Sequence, residues 1–404
     1  MRSPAPPPDP DRRPVVLPLG EGWWRGPTPS TPGVAEAVRA GGWEAGPRLA
    51  DGATAWRVAE ARPTDAATAS PEAARIRSAL DAAHAAHADF PAEPPRLLAV
   101  LNLTPDSFSD GGRLLDDAGR PRRGAVLAAA EQLVADGADA LDLGAESTRP
   151  GAAPVPAEVQ CARLLPALEW LLPLGVPLAL DTRSAAVARA GLAAGASWVN
   201  DVSGLRHDPE LAAVAAAADC TLVLMHMRGE PADMRERCDY RHLLGEVADE
   251  LMDAVARALA AGVRRERILL DPGLGFAKDA EQTREMVARL GALRALGFPL
   301  LAGPSRKSFL AGLTDAPPTE RDCATLGAAA LCAAGGAAWL RLHDCRGRDA
   351  VRTAWGCARA AHLARAEASG AAAEGPADAV PAPTPPSPGA ATAPPACSEG
   401  PTLL

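Results

Sequence analysis

Eight short apolar runs punctuate the chain between residues 97 and 344. They are LLAVLNL (97–103), ALDLG (140–144), PLALD (177–181), WVNDV (198–202), TLVLMH (221–226), RILLDP (267–272), PLLAGP (299–304) and AWLRLHD (338–344). Between most of them, apolar residues recur three and four apart, as in 124–137 and 243–261, which is helical spacing. Near-continuous apolar strands must be covered on both faces, and strands alternating with helices pair in parallel. Eight such repeats over roughly 270 residues predict an α/β protein, a closed (β/α)8 TIM barrel rather than an open sheet.

The polar residues at the ends of the runs sharpen this picture. In chain order they are Asn102, the Glu146-Ser147-Thr148-Arg149 loop, Asp181, Asn200 with Asp201, His226, Asp271, Ser305-Arg306-Lys307, and Arg341 with His343. All lie at C-terminal strand ends, which form the mouth of such a barrel and carry its chemistry.

The flanks read differently. Residues 1–95 are rich in Pro, Gly and Ala, contain Trp23, Trp24, Trp43 and Trp56, and predict one Ala-rich helix over 71–88. They are taken as an N-terminal accessory extension to a barrel spanning 96–366. Residues 367–404 have almost no large apolar side chains and cannot bury a core, so a disordered C-terminal tail is expected.

Composition narrows the function. A net charge of −9 argues against nucleic acid or an anionic membrane as partner. The opening MRSPAPPPDPDRR lacks the apolar stretch of a secretory signal, and no run of about 18 apolar residues appears. A soluble, cytoplasmic protein is expected. The 8 cysteines include no C-x-x-C pair, which points to reduced thiols rather than a zinc site. Of 41 basic residues only Lys278 and Lys307 are lysines, and Asn102 and Asn200 are the only asparagines. All four fall at or just beyond strand ends, so each is a candidate for a site needing that particular group.

The stretches NLTPDSFSDGG (102–112), ESTRPGA (146–152), ALDT (179–182), NDVSG (200–204), LMHMRG (224–229), LDPGLGFAK (270–278), GPSRKSF (303–309) and RLHD (341–344) together resemble the dihydropteroate synthase family, in that family's order. The resemblance covers about residues 97–360. It implies condensation of 6-hydroxymethyl-7,8-dihydropterin pyrophosphate with 4-aminobenzoate, a transferase reaction of folate biosynthesis, and a homodimer.

The chemistry suits these residue types. A pterin presents adjacent N–H donors and ring acceptors, which carboxylates and an Asn amide can match. The resemblance assigns that grip to Asp181, Asn200, Asp271 and Lys307, and places Thr148 among the substrate-binding residues. Arg149, Arg341 and His343 would take the pyrophosphate, Arg through its planar fork. Asn102 and Asp110 match residues linked to Mg2+. Two Gly/Ser/Pro-rich loops, 103–123 and 144–157, are expected to be mobile and to close Phe108 and Pro150 over the aminobenzoate ring, with Ser308 at its carboxylate. His226 is read as a hydrogen-bonded barrel residue, His84 and His87 as a solvated helix face, and Tyr240 receives no role. Ala145, Ala277 and Thr283 depart from the family's usual Gly, Gly and Asn. Rival readings are a pterin-binding methyltransferase and a non-catalytic pterin-binding paralogue.

Overall fold

A computed structural model describes residues 15–20, 23–27, 38, 43–49, 53–58, 71–105, 114–148 and 151–368 of the 404. Its N-terminal part is an antiparallel sheet of β1 (Leu17–Gly20), β2 (Trp23–Gly26), β3 (Trp43–Arg48) and β4 (Thr54–Val58), in the order β1-β2-β4-β3. Helix α1 (Pro71–Ala88) follows.

The barrel then begins. Its strands are β5 (Arg96–Asn102), β6 (Ala140–Gly144), β7 (Leu178–Asp181), β8 (Trp198–Asp201), β9 (Thr221–Met225), β10 (Ile268–Asp271), β11 (Leu301–Ala302) and β12 (Trp339–Leu342). All neighbours pair in parallel, and a bridge between Leu270 and Leu300 joins the two ends of the eight-stranded sheet. The helices between strands are α2 (Arg123–Ala135), α3 (Ala157–Leu171), α4 (Ala185–Ala193), α5 (Leu211–Ala217), α6 (Leu243–Ala260), α7 (Ala280–Ala288) and α8 (Asp322–Ala334). Helix α9 (Arg348–Ala368) closes the barrel and ends just past the expected boundary at 366. The remaining residues of the proposed tail, 369–404, lie outside the described residues.

Inside the barrel, each strand gives one residue to a plug: Leu98, Ala140, Ala179, Trp198, Val223, Leu269, Leu301 and Trp339. Trp198 and Trp339 meet edge-to-face with centroids 4.7 Å apart, and the two alanines leave room for them. Successive strand residues alternate faces, so the residues two positions further on also point inward. Those residues make the site.

The N-terminal part docks on the barrel's helical face. Helix α1 packs on the 3₁₀ turn Leu290–Leu296, and Arg25 donates to Asp249 of α6 at 2.7 Å. Trp24 stacks against His84 and His87, with centroids 5.3 and 5.6 Å away, and Trp43 donates its indole N–H to Asp81 at 2.8 Å. The solvated-face reading holds for His84, which is exposed, but not for His87. His87 is half-buried with Nδ1 3.1 Å from the carbonyl of Gly291, and Trp24 of the sheet reaches its ring. Burial, with Arg294 adding to it, pushes His87 down to about 4.

Candidate active site

Two residues beyond the plug stand Asp142, Asp181, Asn200, Asp271 and Arg341, one polar layer nearer the barrel mouth. Arg341 knits this layer together. Its Nε donates to Asp142 Oδ2 at 2.5 Å and its Nη2 to Asp181 Oδ2 at 2.7 Å. Asn200 Nδ2 donates to the same Asp142 oxygen at 3.0 Å. Asp142 is fully buried and was not among the residues the sequence pointed to. The signal was present: Asp142 follows Ala140 by two positions, in phase with the inward face, but it is not the last residue of its run.

Burial pushes the Asp181 carboxyl up to about 7, against the pull of Arg341 and with the repulsion of Asp142, Glu146 and Asp201. Burial also raises Asp271, opposed by Lys307 and by the Gly273 N–H, which donates to Oδ1 at 2.7 Å. Lys307 is half-buried, and burial lowers it to about 8 while Asp271 holds it up. Its ammonium donates to the Leu274 carbonyl at 2.5 Å and lies 4.6 Å from the Phe276 ring centroid. Lys307 and Asp271 are therefore neighbouring charges, while the lysine's hydrogen bond goes to the backbone.

Asn102 and Asp181 flank Gly144 in register across β5, β6 and β7. A Cβ on Gly144 would lie 3.2 Å from Asn102 Oδ1 and 3.6 Å from Asp181 Oδ2, so glycine keeps that wall open. At the rim, His343 is half-buried and anchored to Ser305, its backbone N–H donating to Oγ at 3.1 Å and its Nδ1 2.9 Å away. Thr148 is half-buried and Ser308 exposed, and neither joins the buried cluster. Asp201 spends its carboxylate on Ser203 and Leu205, a turn role. Phe108, Asp110, Arg149 and Pro150 lie outside the described residues.

Comparison with known proteins decides the family. Residues 98–343 match the family model described as pterin binding enzyme. A dihydropteroate synthase of Synechocystis is 43% identical over 250 residues, covering 61% of this chain and 84% of that protein. The chain belongs to the dihydropteroate synthase family. Two solved members agree with its fold. The Thermus thermophilus dihydropteroate synthase in complex with 4-aminobenzoate has TM-score 0.56 and 42% identity, covering 66% of this chain and 95% of that one. The Anaplasma phagocytophilum enzyme with bound 6-hydroxymethylpterin-monophosphate has TM-score 0.58 and 32% identity, covering 65% and 98%.

Three of this synthase's mouth loops are clasped together by Arg183, another residue the sequence reading passed over. Its buried guanidinium pairs with Glu230, after β9, and lies 3.5 Å from Glu146, after β6. Glu146 also accepts the Val155 N–H at 2.9 Å, and the Gly151 N–H donates to Pro231 O at 3.1 Å. His226 is a hydrogen-bonded barrel residue, with Glu250 at Nε2 and Lys278 at Nδ1. Tyr240 has a place after all: its hydroxyl donates to the Ala277 carbonyl at 2.8 Å. Of the departures, Ala145 and Thr283 are buried without positive φ, whereas Ala277 adopts φ 46°, a conformation natural to glycine.

Proposed function

We propose that this chain joins 6-hydroxymethyl-7,8-dihydropterin pyrophosphate to 4-aminobenzoate, releasing 7,8-dihydropteroate and pyrophosphate in folate biosynthesis. One observation carries the reading: a layer of three buried carboxylates, an amide and a guanidinium, with the Lys307 ammonium beside it, above an apolar plug. That set matches the donors and acceptors along a pterin edge. Asp181 and Asp271 accept ring N–H groups, Asn200 bonds both ways, and Lys307 faces ring acceptors beside Asp271.

The pterin ring delocalises the positive charge that develops at its exocyclic CH2 as the C–O bond to pyrophosphate breaks. Arg341 keeps Nη1 for an oxyanion, since Nε and Nη2 already serve carboxylates. Arg149 and His343 complete that anion site. The amine of 4-aminobenzoate then attacks the CH2 and loses its proton to solvent or the departing anion. Phe108 and Pro150 would pack on the aminobenzoate ring, with Thr148 beside it and Ser308 at its carboxylate.

Among the described residues no cluster of three His, Cys, Asp or Glu could hold a metal. A magnesium ion bound mostly by pyrophosphate and water needs only one or two protein oxygens. The oxygen of Asn102, left open beside Gly144, suits that demand, and Asp110 is its proposed companion. The ion would supply charge neutralisation on the leaving group. Exposed Leu331 on α8 and Leu363 on the adjacent α9 support a homodimer through these helices. No helix of the described residues is long and apolar enough to cross a membrane.

The deciding experiment incubates the full chain with the pterin pyrophosphate, 4-aminobenzoate and Mg2+. Equal amounts of dihydropteroate and pyrophosphate are expected. Pterin binding without either product would reduce the chain to a binding protein.

A further inference from the structure

Lys278 is one of two lysines in a chain that otherwise uses Arg, and the proposed chemistry leaves it without a task. It is buried beneath the loop 272–278 that leaves β10. Its ammonium has three hydrogens and three acceptors: His226 Nδ1 at 2.9 Å, Gly273 O at 3.2 Å and Phe276 O at 3.2 Å. An arginine's flat fork does not match that compact arrangement.

The loop it holds is the one that sets two pterin-facing groups. Gly273 supplies the N–H on Asp271 Oδ1, Leu274 supplies the carbonyl under the Lys307 ammonium, and Phe276 supplies the ring beside it. The loop is also pressed tightly against β9: a Cβ on Gly273 would fall 1.9 Å from the His226 carbonyl oxygen. Behind Lys278 the contacts continue. His226 Nε2 lies 3.1 Å from Glu250, and Glu250 receives Arg228 Nε at 2.7 Å. For Lys278 to donate to Nδ1, His226 must be neutral with its proton on Nε2, which then donates to Glu250. Burial, with Lys278 adding to it, pushes His226 down to about 3, in keeping with that neutral form. Burial lowers Lys278 to about 7; in its charged form it reaches the Glu250 carboxylate through the His226 imidazole.

Building on the pterin reading, we propose that Lys278 is a positioning residue that pins this loop and thereby aims Asp271 and Lys307 at the pterin ring. The φ of 46° at Ala277 fits this role, because a conformation unfavourable to alanine persists only where its surroundings over-determine it. Tyr240, donating to the Ala277 carbonyl, holds the same loop from its other side.

The test compares wild type, Lys278→Met, Tyr240→Phe and Glu250→Gln as full chains. It titrates 6-hydroxymethylpterin calorimetrically and measures melting temperature and the KM for 4-aminobenzoate. Lys278→Met is expected to weaken pterin binding at least about tenfold, while the aminobenzoate KM stays within about twofold. Tyr240→Phe and Glu250→Gln should show the same selective loss at about two- to fivefold. A stabilising role alone would lower the melting temperature and leave pterin affinity intact, and that result in a folded Lys278→Met overturns the proposal. Should Lys278→Met not fold, unchanged pterin affinity in both other variants overturns it. A wild-type chain that binds no pterin would instead refute the parent reading, and the positioning role with it.

Discussion

Asp142 and Asp181 share one guanidinium, that of Arg341, although 160 residues separate Asp181 from Arg341. Burial raises Asp181, and the second carboxylate on the same cation adds to that rise, while both carboxylates keep Arg341 firmly protonated. Asp142 is also the acceptor that fixes the Asn200 amide. Asp142→Ala should therefore free that amide and leave Arg341 with a single partner. A loss of pterin affinity of about 2–3 kcal/mol is expected, since the Asn200 amide left behind is buried and Arg341 loses one of two charged partners. Calorimetry with 6-hydroxymethylpterin checks it, and an affinity within twofold of wild type would remove Asp142 from the site.

Pterin binding should follow a narrow bell in pH. Ring N–H groups need an ionised Asp181, which is pushed up to about 7, and ring acceptors need a protonated Lys307, which is pushed down to about 8. Affinity should climb as pH rises through the first value and fall as it passes the second. Lys307→Met should lower affinity throughout and abolish the alkaline limb. The raised Asp181 value also acts on folding: its contribution to stability is complete below its ordinary value of 3.8 and is lost as pH rises through about 7. Asp181→Asn should thus melt higher than wild type at pH 8 while binding pterin poorly, and a lower melting temperature there would contradict the assignment.

The barrel was legible because its signal is local: apolar strand, helical spacing, polar strand end. Asp181, Asn200, Asp271, Lys307 and Arg341 were legible for the same reason. What the sequence hid were pairings across the mouth. Asp142 looks like an interior strand residue, and only the barrel's closure brings Arg341 from β12 to it. Arg183 follows Asp181 by two positions, yet its partners lie 37 and 47 residues away in other loops. His87 sits on an Ala-rich helix with little apolar periodicity, and Trp24 from β2 and the Gly291 carbonyl decide its surroundings. Lys278 was visible as a rare residue, but its three acceptors come from a loop's backbone and a histidine just past the end of a neighbouring strand.

His87 offers a measure of how firmly the N-terminal part is docked. Its value is lowered from 6.5 to about 4, so its contribution to stability is present above 6.5 and is lost as pH falls toward 4. Between pH 7.5 and 5 the wild type should lose about 1 kcal/mol more stability than His87→Gln, after allowing for solvent screening of a half-buried group. Parallel denaturation curves at the two pH values would show that the helix does not depend on this histidine.

Arg183 should control aminobenzoate rather than pterin. It is buried between Glu146 and Glu230, and the loop it grips leads directly into Thr148, Arg149 and Pro150. Removing its charge leaves Glu146 with the Val155 N–H as its partner and releases the link to the loop after β9. On the proposed reading, aminobenzoate affinity depends on that loop being held in its closed form, and pyrophosphate, recruited by Arg149, should favour the same form. In the wild type, Mg2+ and pyrophosphate should therefore tighten 4-aminobenzoate binding at least about tenfold, a coupling of roughly 1.4 kcal/mol. Arg183→Gln should raise the aminobenzoate KM and shrink that coupling by about half, because anion binding must then organise the loop without the clasp. Pterin affinity should change less than aminobenzoate affinity, because the bonds of Arg341 to Asp142 and Asp181 stay in place and Arg183 reaches Asp181 through the charge of Glu146 alone. Calorimetric titrations of 4-aminobenzoate with and without pyrophosphate, run on both proteins, separate the outcomes. Equal coupling in the two proteins would mean that the clasp is ornamental to catalysis, and a parallel loss of pterin affinity would mean that it supports the whole mouth rather than one loop.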